Sequence, residues 1–253
     1  MTQAELEELL QVAERVSVGE IYQYYREEEL QDRVPEEMVS RLSEKGIRVW
    51  YVTGAPEWGI DETGEEIRRA VSMLALYNRM VPGEARFAGI QLDVEPYLTD
   101  LWAEDKQRVM ELWYKALYRG KVLAEAYDIP VMICVPRWMD AVNKDIFEKM
   151  LRECCDEVAI MNYDRRDESE GIQPEMELAL QYQRPVICVS KLTQPGKHEL
   201  TDEHTYYHAG LSQLHESWRQ LSQDYPHNDL RFAYHHMSPL KEMLNCRGKQ
   251  ENN

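Results

Sequence analysis

Short apolar runs alternate along this chain with longer stretches in which apolar positions recur every three or four residues. The runs cover residues 20–25, 47–53, 87–94, 130–135, 158–163, 185–189 and 230–234, and are rich in Val, Ile, Tyr and Phe. Their length and composition predict strands. The stretches between them predict helices. Residues 4–13 place Leu6, Leu9, Leu10 and Ala13 on one face. Residues 35–45 open with Pro35 followed by Glu36 and Glu37, and stop at Gly46, the signature of a helix start and a C-cap. Residues 67–80, 105–127, 143–155, 174–182 and 205–225 follow the same period.

No hairpin signal joins neighbouring strands, so each strand is followed by a crossover helix and the sheet is parallel. Near-continuous apolar strands mean burial on both faces. A length of 253 residues and a strand count near eight favour a (β/α)8 TIM-type barrel over an open doubly wound sheet. A Gly-x-Gly-x-x-Gly turn, which would support the open sheet, is missing after the first strand. Only seven strands are visible and the chain opens with a helix, so the first barrel strand is expected to be degenerate, lost or upstream of Met1. The expected organisation is one domain over residues 1–246 and a disordered tail over 247–253.

The formal net charge of −17 repels phosphate backbones, and no Lys/Arg cluster offsets it, so nucleic-acid binding is not expected. The N-terminus has neither a basic segment nor an apolar one, so no signal peptide is read. No apolar run approaches the roughly 18–20 residues that span a bilayer, which excludes helical membrane insertion. The expectation is a cytoplasmic protein as given, or a secreted or cell-surface one if the chain is an N-terminally truncated fragment. Cys134, Cys154, Cys155, Cys188 and Cys246 are odd in number and form no Cys-x-x-Cys pair, arguing against a disulfide framework or a structural zinc site.

In a parallel barrel the functional residues gather at the C-terminal ends of the strands. Those ends carry Glu57 and Trp58, Asp93, Glu95 and Tyr97, Trp138, Met161, Tyr163 and Asp164, Lys191, and His235 and His236. Asp93 and Glu95 stand at i and i+2, so on a strand they share a face. Two carboxylates on one inward face repel, and one then holds a proton that it can donate to a leaving oxygen. Trp58, Tyr97, Trp138 and Tyr163 are candidate platforms for a sugar ring, with Glu57 as a further polar contact. Alternation turns one of His235 and His236 inward, as a core residue or a substrate contact. His204 and His208 are four apart on a predicted helical stretch, but the segment lacks a Glu in the His-Glu-x-x-His position and its face is polar, so they read as solvated surface residues.

The segment Gly89-Ile90-Gln91-Leu92-Asp93-Val94-Glu95 resembles the catalytic fourth strand of the family 18, chitinase-like, glycosidases, whose pattern is Asp-Gly-x-Asp-x-Asp-x-Glu. Met161-Asn162-Tyr163-Asp164 is similar to that family's Met-x-Tyr-Asp on the sixth strand. With one strand missing at the start, the two segments fall on strands four and six. The chain as a whole resembles a group of glycosidase-like barrels with a Gly-Ile-x-Leu-Asp-Val-Glu-Pro strand and a terminal His-His segment. The resemblance implies that Glu95 is the general acid, that Asp93 orients the substrate's acetamido group, and that Tyr163 and Asp164 hold it during substrate-assisted attack. Gln91, Met161, His235 and His236 join Glu57, Trp58, Tyr97 and Trp138 as candidate substrate contacts. Ala88 and Gln91 depart from the pattern, since they stand where the family has Asp.

The expected ligand is a carbohydrate, with N-acetylhexosamine units as the candidate, and no cofactor or metal is implied. Two alternatives stand beside hydrolysis by substrate assistance. One is a barrel that binds carbohydrate without cleaving it. The other is a retaining glycosidase with two carboxylates ~5 Å apart. Val94-Glu95-Pro96 is reminiscent of such an enzyme's Asn-Glu-Pro, but Val189-Ser190-Lys191 brings no second Glu.

Overall fold

The computed structural model describes residues 2–196 and 200–250, with side chains as far as Asn245. In chain order the elements are α1 (Gln3–Arg15), β1 (Glu20–Tyr24), α2 (Glu27–Gln31), α3 (Glu36–Glu44), β2 (Arg48–Thr53), α4 (Glu65–Met80), β3 (Gly89–Leu92), α5 (Asp100–Glu104), α6 (Lys106–Glu125), β4 (Val131–Pro136), α7 (Met139–Val142), α8 (Lys144–Glu153), β5 (Glu157–Met161), α9 (Gln173–Gln181), β6 (Val186–Lys191), α10 (Leu211–Asp224), β7 (Leu230–His235) and α11 (Met237–Gln250). This is an α/β fold with seven parallel strands, each at a position the apolar runs predict. An eighth strand is not among the described residues.

One departure from the predicted helices has a local cause. The stretch 205–225 is helical only from Leu211, because Gly210 takes a positive φ of 85° and the residues before it follow β6. There Tyr206 N donates to Lys191 O at 2.9 Å and the Thr205 hydroxyl donates to the same carbonyl at 3.2 Å. His204 and His208 therefore lie outside α10. At the C-terminus, backbone of the expected tail is helical as far as Gln250, and residues 251–253 lie outside the described ones.

The chain divides into two compact units, Met1–Ile133 with Arg152–Asp156, and Cys134–Leu151 with Glu157–Asn253. In the first, β1 to β4 pair in sequence order, with Trp50 opposite Gly89 and Ile90 opposite Val131. Alternation splits each strand between two environments. Tyr51 joins Phe87, Tyr25 and Tyr77 of α4 in an aromatic cluster with Phe87 at its centre, 5.2–6.1 Å from the other rings. Trp50 points the other way. Its indole Nε1 reaches Glu20 at 3.5 Å, and Glu20 also accepts from Arg48 and from the Tyr22 hydroxyl. Helix α6 buries Val109, Met110, Trp113 and Leu117, and α4 buries Ile67, Val71 and Leu74.

In the second unit β5, β6 and β7 pair in the same sense, with Val158 opposite Val186 and Cys188 opposite Phe232. Trp218 of α10 stacks on Phe232 at 5.0 Å and packs on Tyr234 at 4.7 Å. The alternate residues of β7 face away from α10: Arg231 pairs with Glu157 near the strands' N-terminal ends, and His235 stands at the C-terminal end. Cys134, Cys154, Cys155 and Cys188 are buried free thiols, and burial pushes the Cys188 thiol up to about 12.

Candidate functional site

In the first unit the site candidates come from the ends of β2 and β3. Regular strand geometry stops at Leu92, but Asp93 N still donates to Thr53 O at 2.9 Å, so the ladder runs one residue further. Burial keeps alternating beyond the strand: Asp93 is exposed, Val94 buried, Glu95 half-buried and Pro96 buried. Glu95 has left the strand conformation, with ψ at 65°, and leads into a 3-10 turn over Pro96–Leu98. From that turn the Tyr97 hydroxyl reaches back and donates to the Glu95 carboxylate. The Tyr97 ring is held edge-on by Trp102 at 6.2 Å and Trp113 at 6.3 Å, so this donor is fixed by packing rather than by exposure.

The end of β2 supplies a second 3-10 turn, Pro56–Ile60, in which Glu57 is exposed and Trp58 half-buried. The two turns meet closely, since a Cβ at Gly59 would stand 2.7 Å from Pro96 Cγ. Gly54 is needed for a similar reason: its Cβ would fall 2.1 Å from the Asp93 carbonyl oxygen. Gln91 is buried on β3.

In the second unit the candidates come from the ends of β4, β5, β6 and β7. Loop 162–172 is built around Arg137, which directly follows β4. Its guanidinium donates to Asn162 Oδ1 at 3.2 Å, to the Asp164 carbonyl at 3.0 Å and to Asp167 Oδ1 at 2.6 Å. Asn162 is 2% exposed and passes the constraint on, its Nδ2 donating to the Glu168 carbonyl at 3.0 Å. Glu168 in turn accepts from Tyr206 at 2.6 and 2.7 Å and from Ser217. Burial outweighs these bonds and raises the Glu168 carboxyl above its ordinary value.

Asp164 and Tyr163 are adjacent in sequence but differently engaged. The Asp164 carboxylate is gripped by Arg166, through Nε at 2.9 Å and Nη2 at 2.6 Å. That bond, above all, holds the carboxyl well below the usual carboxylate range. Tyr163 lies under the Lys191 ammonium, 4.6 Å from the ring centroid, and beside the His235 ring at 5.9 Å. The His235 imidazole reaches solvent but is crowded; desolvation first, then the charges of Lys191 and His236, bring it down to about 4. It is a neutral ring at physiological pH. His236, also exposed, meets it edge-on at 5.3 Å, and the peptide between the two is cis. Met161 ends β5 half-buried, and Trp138, after β4, is 40% exposed.

The sequence alone does not single out Arg137 or Asn162, and it places Lys191 at a strand end without a role. Arg137 and Lys191 are legible as cations at strand ends, and Asn162 as the variable position of Met-x-Tyr-Asp. Nothing in the pattern marks Asn162 as the buried hub of its loop. His208 Nδ1 lies 2.7 Å from Asp202, and His204 Nδ1 lies 3.0 Å from the Thr201 hydroxyl. Among the described residues no group of three or more His, Cys, Asp or Glu is placed to hold a metal ion.

No protein-family model matches the chain, and no curated protein matches it. Among solved structures, it is similar to a xylose isomerase domain protein from Planctomyces limnophilus, at 12% identity and a TM-score of 0.54, over 96% of this chain and 89% of that one. A protein from Sinorhizobium meliloti 1021 matches at 15% identity and a TM-score of 0.53, over 98% and 92%. At these identities the likeness is one of fold. A chitinase from Chromobacterium violaceum matches at 12% identity and a TM-score of 0.49, over 71% of this chain. The chain spans 63% of that chitinase's length, under two thirds. Among the described residues no helix is long and apolar enough to cross a membrane.

Proposed function

We propose that this chain is a β/α barrel of the glycosidase type that hydrolyses a carbohydrate containing N-acetylhexosamine units by substrate assistance. In this reading Glu95 protonates the leaving glycosidic oxygen while the substrate's own acetamido oxygen attacks the anomeric carbon. Asp93 orients that acetamido group, and Tyr163 and Asp164 take the holding role. Water then opens the cyclic intermediate and returns the proton to Glu95. A group that must give and regain a proton needs a fixed position and restricted solvent. The observation that carries the reading is the half-buried Glu95 carboxyl at the end of β3, bonded by the packed Tyr97 hydroxyl.

A second reading, a barrel that binds carbohydrate without cleaving it, is favoured by two observations. Buried Gln91 supplies no charge where the family has Asp, and the Asp164 carboxylate is already committed to Arg166. One experiment separates the two. Chromogenic N-acetylglucosaminide oligomers are offered to the wild type and to Glu95→Gln, with binding followed by calorimetry. The hydrolytic reading expects turnover by the wild type alone. Binding by both without turnover by either replaces it with the second reading, and binding by neither removes both.

A further inference from the structure

Three neighbouring strands end in side chains that meet on one face. The register sets Lys191 of β6 directly opposite His235 of β7, and it pairs Met161 with Val189, so that Tyr163 follows on β5 where Lys191 follows on β6. Alternation sends these side chains to one side of the sheet. That side is away from α10, because the adjacent residues Ser190 and Tyr234 face the helix: Trp218 Nε1 donates to the Ser190 hydroxyl at 2.9 Å, and the Trp218 ring packs on Tyr234. The ring contacts agree, with the Lys191 ammonium 4.6 Å from the Tyr163 centroid, Tyr163 5.9 Å from His235, and His235 5.3 Å from His236.

The proposed chemistry uses Tyr163 and gives Lys191 no part. The Lys191 backbone is pinned, since its carbonyl accepts from Tyr206 N at 2.9 Å and from the Thr205 hydroxyl at 3.2 Å, and the next residue, Leu192, donates its N–H to the His235 carbonyl at 2.8 Å. The side chain is half-buried, beside two imidazoles that reach solvent. A cation in that position has lost part of its water, and an anion is attracted to it more strongly than to an open surface. The acid next to Tyr163, Asp164, has its charge balanced by Arg166. The His235 ring, held at about 4 by desolvation and then by Lys191 and His236, is neutral at physiological pH and offers an N–H rather than a second charge.

We infer that Lys191, His235 and His236 form a subsite for the carboxylate of an acidic sugar, a uronic acid type of unit, beside the N-acetylhexosamine that Tyr163 holds. The inference rests on the carbohydrate reading and adds to it the class of the neighbouring unit. Lys191 supplies the opposite charge, and the imidazoles supply donors to the carboxylate oxygens. One ammonium matches one carboxylate. A phosphate monoester brings about −1.5 to −2, and the excess is unfavourable in a chain of net charge −17.

Calorimetry on the full chain with three probes tests this: a hyaluronan tetrasaccharide, which alternates N-acetylglucosamine with glucuronic acid, the same oligosaccharide with its carboxyls reduced to alcohols, and neutral chitotetraose. The acidic tetrasaccharide is expected to bind about 10- to 100-fold more tightly than its reduced form, as for a hydrogen bond to a charged group. Lys191→Met should abolish that advantage, and Lys191→Arg should keep part of it. The acidic probe alone should shift the imidazole proton signals of His235 and His236. If the reduced form binds as tightly as the acid, if only chitotetraose binds, or if the advantage survives Lys191→Met, the subsite does not exist while the carbohydrate reading stands. Binding of none of the three removes both. The wild-type comparison decides even if Lys191→Met does not fold.

Discussion

The Tyr97 hydroxyl donates to the Glu95 carboxylate two residues earlier, and its ring is wedged between Trp102 and Trp113. Tyr97→Phe keeps the wedge and removes the bond. A hydrogen bond to a charged group contributes about 1.5–3 kcal/mol, which corresponds to about 10- to 100-fold in rate. The expected outcome is a fall in kcat of that size with little change in thermal midpoint. Steady-state kinetics on a hydrolysed substrate checks it, and a variant as fast as the wild type would deny Tyr97 any part in positioning Glu95.

Arg137 holds loop 162–172 by bonds to Asn162, Asp164 and Asp167, and its side chain is 14% exposed. Arg137→Ala is expected to cost about 2–3 kcal/mol, a drop of roughly 4–10 °C for a chain of this size. Arg137→Lys should recover little, because one ammonium cannot replace the planar fork. Gly171→Ala should mimic the loss from the other side, since its Cβ would stand 1.5 Å from Arg137 Nη2. Thermal unfolding with limited proteolysis tests all three, and cleavage within 162–172 should rise in each. Arg137→Ala with a wild-type midpoint and an uncut loop would leave the staple without energetic meaning.

Strand positions were legible because burial on both faces leaves near-continuous apolar runs, as in Val131–Pro136. Helix α7, four residues long, and α5, with no buried residue, fell below what periodicity can register. The stretch 205–225 misled because apolar spacing extends through Tyr206 and Leu211 while Gly210 breaks the helix between them. Asp93, Glu95, Tyr163 and Asp164 were legible as chemistry-bearing residues at strand ends. Their engagements were not: the grip of Arg166 on Asp164 and the Lys191 ammonium over Tyr163 depend on where loops fold back. Asn162 was invisible for a further reason, since a buried polar residue has the same letter as a solvated one.

The depressed His235 imidazole gives a pH prediction of definite sign. Its folded value, about 4, lies below the ordinary 6.5, so between the two the unfolded chain binds more protons. Stability should therefore fall as pH drops from about 6.5 towards 4, and level off below that. His235→Asn should flatten this limb. Lys191→Met removes one of the charges that depress the ring and should move its titration upward. Imidazole proton shifts read both effects, and a His235 that titrates at its ordinary value in the wild type would contradict them.

Gly89 is a glycine of the strand that resembles a glycosidase motif, but its need for the absence of a side chain is set by packing. A Cβ there would stand 2.3 Å from the Trp50 ring and 2.6 Å from the Pro130 carbonyl oxygen. Neither neighbour yields easily. Trp50 is 1% exposed, and Pro130 O accepts the ladder bond from Ile90 N at 2.9 Å. Gly89→Ala is expected to destabilise by about 1–3 kcal/mol, the usual cost of overpacking, or somewhat more because one obstacle is backbone. Trp50→Leu opens the side-chain obstacle and leaves the backbone one. The double variant Trp50→Leu/Gly89→Ala should therefore lose less than the sum of the singles, with a coupling of about 0.5–3 kcal/mol typical of residues in contact. Chemical denaturation of the four proteins measures that coupling. Strict additivity would mean that Trp50 is not what excludes a side chain at 89, and would return the glycine to a reading based on the motif alone.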